Sequence, residues 1–70
     1  MATVYEHKDG TFRRRNEYEV DDLTVEQAID ALIDPNYIDG KVTYSRDLIG
    51  WGDGAVEVIR DGEPYIIITA

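Results

Sequence analysis

Two Asp-Gly dipeptides, each set between strand-like runs, constrain this chain more than any other feature. Asp9-Gly10 separates Thr3 to Lys8 from Thr11 to Arg15, and Asp61-Gly62 separates Ala55 to Arg60 from Glu63 to Thr69. A type I′ turn needs positive φ at both central residues, which Asp followed by Gly accepts at little steric cost, so each dipeptide predicts a β-hairpin of fixed register. Counting outward from the first turn, Lys8 faces Thr11, His7 faces Phe12, Glu6 faces Arg13 and Tyr5 faces Arg14. That register sets up an ion pair from Glu6 to Arg13 and a cation–π pair from Arg14 to Tyr5. From the second turn, Arg60 faces Glu63 and Val58 faces Tyr65. Ile66, Ile67 and Ile68 break the alternation of a half-buried strand, which predicts a strand covered on both faces or one that pairs with a second subunit.

One helix is written between the hairpins. Thr24-Val25-Glu26-Gln27 has the capping-box pattern, and Val25, Ala28, Ile29, Leu32 and Ile33 follow the spacing of a single apolar stripe. Asp34-Pro35 ends it, because the residue before Pro avoids the helical region. Ahead of the helix, the second strand either continues through Glu17 to Val20, with Tyr18 and Val20 on the face of Phe12, or bends near Asn16. After it, Asp39-Gly40 turns into a strand at Lys41 to Ser45, with Val42 and Tyr44 on one face, and a weaker strand is expected from Asp47 to Trp51. The order ββαβ(β)ββ predicts an α+β fold, a small antiparallel sheet with one helix packed on it, in a single compact domain over residues 1–70. Without cysteine among its 70 residues the chain has no disulfide staple, so its core, or a second copy, must supply the stability. No apolar stretch approaches the length of a membrane span, and the expected location is cytoplasmic.

Charge narrows the functional classes. Residues 1–15 hold four basic and two acidic side chains, whereas residues 16–70 hold three basic and thirteen acidic ones; the whole chain stands at −8. Arg13, Arg14 and Arg15 are a poor footprint for nucleic acid when the remaining chain repels phosphate, so direct nucleic-acid binding is not expected. Gly50-Trp51-Gly52-Asp53-Gly54 resembles a phosphate loop only in composition, since a strand follows it where a helix N-terminus is needed. Its Trp51 either folds back on the core or serves as an aromatic anchor for a partner. Residues 34–40 have one residue too many before the glycine, and Ser45 in place of the bidentate Glu, for a calcium loop. The single histidine, His7, has no nucleophile or metal partner at a recognisable spacing. No enzyme class, metal or cofactor is indicated.

The acids carry more information. Asp22, Glu26 and Asp30 fall at i, i+4 and i+8, which on one helix is a stripe of carboxylates about 6 Å apart, near the phosphate spacing of a nucleic-acid strand. These three residues and Trp51 are the candidate protein-binding positions, and a basic, nucleic-acid-handling protein is the expected partner.

Two resemblances bear on this reading. Val58-Ile59-Arg60-Asp61-Gly62-Glu63-Pro64-Tyr65-Ile66-Ile67-Ile68 looks like the strand-R-x-G-x-P-strand hairpin of Phd/YefM-type antitoxins, without carrying over any functional residue. In size, acidity and element order, the chain is also similar to small phage-encoded inhibitors such as anti-CRISPR proteins. The first implies a small regulatory homodimer pairing through its C-terminal hairpin. The second implies a non-enzymatic inhibitor that mimics DNA.

Overall fold

In a computed structural model, residues 1–15, 20–33, 40–46, 48, 50–52 and 54–70 are described. They form strands β1 (Thr3–Lys8) and β2 (Thr11–Arg15), helix α1 (Val25–Leu32), and strands β3 (Val42–Ser45), β4 (Val56–Arg60) and β5 (Glu63–Thr69). Both hairpin turns take the expected form. Asp9 and Gly10 have φ of 53° and 79°, and Asp61 and Gly62 have φ of 52° and 79°, the two positive values of a type I′ turn. All strands are antiparallel, in one sheet of order β2-β1-β5-β4-β3.

That order puts the last strand in the middle. β5 pairs with β1 on one side, Val4 opposite Ile68, and with β4 on the other, Val56 opposite Ile68. Neither of its edges is open to a second subunit, so the isoleucine run is explained by two-sided burial. Ile66 and Ile68 point toward α1 and pack in one cluster with Val4, Val56, Val58, Ala28, Ile29 and Ile33. Ile67 points to the opposite face and is nevertheless only 2% exposed.

Thr24 caps α1 as its sequence requires. Its hydroxyl accepts from the Gln27 amide at 3.2 Å, and the Gln27 side chain accepts from the Thr24 amide at 3.0 Å. The apolar stripe then lies on the sheet, with Ala28 and Ile29 buried and Val25 and Leu32 packed at its margin. Ile33 is the C-cap, its amide bonded to the Ile29 carbonyl at 2.8 Å.

Three expectations need correction, and one of two open alternatives, the continuation of the second strand as far as Val20, is ruled out at that residue. Val58 lies opposite Ile66, not Tyr65, because the ladder shifts between Val58 and Ile59, which pairs with Pro64. Pro64 has no N–H to give the ladder, and beside it Tyr65 becomes the extra residue of a bulge, turned toward the helix-side core. The first hairpin keeps its register, but Glu6 reaches diagonally to Arg15 at 3.2 Å and not straight across to Arg13. Val20 is not in the second strand. It opens a turn in which the Leu23 amide bonds its carbonyl at 2.9 Å, and its side chain joins the helix-side core, away from Phe12. The weak strand before Trp51 does not form at its described residues, where the chain turns and bends; Asp47 and Ile49 lie outside the described residues, as do residues 16–19, 34–39 and 53. Those gaps include the Glu17 to Glu19 extension, the Asp34-Pro35 stop and most of the calcium-like stretch.

The start of β3 is tied to the second hairpin turn. The Lys41 amide donates to Asp61 Oδ1 at 2.8 Å, and the Asp61 amide donates to the Lys41 carbonyl at 2.8 Å. Gly40, at φ 103°, leaves room for that carboxylate, since a Cβ there would stand 2.1 Å from Asp61 Oδ2. Gly62 also has positive φ but faces open space. Gly40→Ala is therefore expected to destabilise the fold by about 1–3 kcal/mol in urea unfolding, and by more than Gly62→Ala. Combining Gly40→Ala with Asp61→Gly, which removes the obstructing carboxylate, should cost less than the two single changes added together.

Candidate protein-interaction surface

The acids predicted as one stripe occupy two elements. Asp21 and Asp22 are the central residues of the turn that the Val20 carbonyl closes, and α1 begins only at Val25. Asp22 is thus outside the helix, and the three-carboxylate spacing reduces to Glu26 and Asp30, one turn apart. All four acids are exposed. Their placement follows local physics in part: Asp22 and Glu26 sit near the helix N-terminus, where the dipole favours negative charge, whereas Asp30 opposes it near the other end.

Glu26 is also less free than its position suggests. The Arg46 guanidinium, just beyond β3, grips both of its carboxylate oxygens, with Nη2 to Oε2 at 3.4 Å and a closer contact between Nη1 and Oε1. The hydrogen bond from Arg46 holds the Glu26 carboxyl below its ordinary range, and the same bond raises Arg46. Both side chains are more than half exposed, so solvent and salt screen the pair. The pair clamps the solvent side of α1 to the end of β3. Asp22 and Asp30 are left as the carboxylates of the predicted stripe that are not taken up by it.

Trp51 lies on the other face of the sheet. Gly50 and Gly52 flank it with φ of 88° and 87°, values that side-chain-bearing residues rarely adopt, and this loop lays the indole over the first hairpin. Its ring meets Tyr5 edge-on at 4.8 Å and Phe12 at 5.9 Å, while His7 packs on Phe12 at 5.0 Å. Tyr5 is the partner of Ile67 in the β1–β5 ladder, so this row of rings starts beside Ile67, which is buried on the face that the helix does not cover. Tyr5 is accordingly engaged with Trp51, in place of the cation–π pair expected with Arg14. Half-buried, Trp51 does a structural job and keeps part of its ring in solvent.

Sequence reasoning missed Arg46 and the assembly of the aromatic row. Tyr5, His7 and Phe12 share one hairpin face by register alone, and that was readable. Nothing local in the sequence announces that Trp51 reaches Tyr5 and Phe12, 46 and 39 positions earlier in the chain. Among the described residues, no helix is long and apolar enough to cross a membrane. No family model, curated protein or solved structure matches the chain.

Trp51→Ala should lower unfolding stability by about 1–3 kcal/mol through loss of the ring contacts with Tyr5 and Phe12, with Trp51→Phe costing less. For Glu26, the folded-state value is lowered, so the stabilisation by Arg46 is complete above the ordinary glutamate range and disappears as pH falls through the folded value. Glu26→Gln should thus be less stable than the parent chain at neutral pH, with the gap closing once the pH has fallen through that lowered value, or in about 0.5 M salt. Urea midpoints under the three conditions check this.

Proposed function

We propose that this chain is a non-enzymatic, acidic interaction protein that docks on a basic, nucleic-acid-handling partner, as phage-type inhibitors of the anti-CRISPR or DNA-mimic kind do. The observation that carries the reading is the exposed group of Asp21, Asp22, Glu26 and Asp30 on the turn and outer side of α1, in a chain of net charge −8. Carboxylates on a rigid helix and its capped entry turn compete for side chains arranged to bind phosphates, and long-range charge steers the encounter. The mimicry is looser than a regular stripe, because Asp22 stands off the helix and Arg46 holds Glu26. A field of clustered charge, more than a phosphate-by-phosphate copy, is what the partner meets.

The immobilised chain should capture basic DNA-binding proteins from a nuclease-treated bacterial lysate, and added duplex DNA should release them. Asp22→Lys with Asp30→Lys should weaken capture about tenfold or more, with Glu26→Gln as a control for loss of the Arg46 pair. Capture unaffected by the double substitution would rule out this surface.

A further inference from the structure

We propose that the outer edge of β2 is a second binding site, one that takes an acidic, extended peptide segment by strand addition. β2 is the terminal strand of the sheet, and among the described residues no strand pairs with its outer side. In a two-residue I′ hairpin the residues flanking the turn form a hydrogen-bonded pair, here Lys8 and Thr11. Alternation makes Glu6–Arg13 and Val4–Arg15 the next such pairs. The N–H and C=O groups of Phe12 and Arg14 therefore point outward, ready to pair with an added strand.

Side chains select what can be added. Arg13 is exposed on the helix side of the sheet and Arg14 on the aromatic side, and among the described residues neither has an acidic partner. An incoming strand thus meets a cation on each face, plus the edge of the aromatic row at Phe12. A second copy of this chain is disfavoured, because two-fold pairing of β2 with itself brings arginines opposite or diagonal to arginines. Nucleic acid can satisfy the charge but not the outward row of backbone donors and acceptors. A segment reading apolar-acidic-acidic satisfies all three, the apolar residue beside Phe12 and one acid beside each arginine. This site is independent of the acidic surface above, and either can fail without the other.

Trp51, the sole tryptophan, touches Phe12 and so reports on this edge. Titrating the acetylated, amidated peptide Thr-Val-Glu-Glu-Val-Thr at low salt should change its fluorescence saturably. Arg13→Glu with Arg14→Glu should weaken binding about tenfold or more, as should N-methylation of alternate peptide amides. Arg13→Gln with Arg14→Gln serves if the glutamate variant fails to fold by circular dichroism. No saturable change would make the arginines mere guards against edge aggregation and overturn the proposal. So would equal binding by the N-methylated peptide, by either arginine variant, or by a single-stranded oligonucleotide of matching charge.

Discussion

The placement of β5 between β1 and β4 is the constraint on which the rest of the molecule depends. A strand paired on both sides has no edge to satisfy with water, and its side chains must find cover above and below. On one side α1 supplies it, so that Ile66 and Ile68 meet Ala28, Ile29 and Ile33. On the other side Ile67 is buried beside Tyr5, the ring that Trp51 meets from its loop. The two faces carry different packing, a regular amphipathic stripe on one and a row of rings on the other.

The fold was largely legible because its signals are local. Asp9-Gly10 and Asp61-Gly62 each determine a turn from two residues, the capping box determines the helix start from four, and the stripe determines which helix face is buried. What escaped was non-local or depended on one missing atom. The absent N–H of Pro64 is visible in the sequence, yet whether the ladder absorbs it by a bulge depends on what Tyr65 can pack against. Glu6 chooses Arg15 over Arg13 although the register places Arg13 directly opposite, since long side chains reach diagonal neighbours on a twisted pair of strands. The candidate site was less legible for a similar reason. A spacing of four residues makes a stripe only if all its members are helical, and Thr24 starts the helix two residues too late for Asp22. Arg46 lies 20 residues from Glu26 and could be assigned to it only once β3 had a place in the sheet.

The molecule also separates its charges by element type. Acids gather on the helix and the turn before it, where side chains fan into solvent, and three of the seven basic residues lie on one terminal strand, with whose outer side no strand pairs among the described residues. Arginine at such an edge discourages like copies whatever else it does, since a net charge far from zero and a cationic strand edge both oppose self-association.

The pairing of Thr3 with Thr69 has a consequence for how the protein is made. The first hairpin is written within fifteen residues and can close as soon as it leaves the ribosome, yet its neighbour in the sheet is the final strand. Until residue 69 is available, β1 has a bare side, and the helix has no isoleucines to rest on. The β1–β5 pairing is thus a contact of high sequence separation, which slows folding relative to a meander of equal size. The same adjacency makes this seam a natural place to rejoin the chain and open it elsewhere, with the sheet order unchanged.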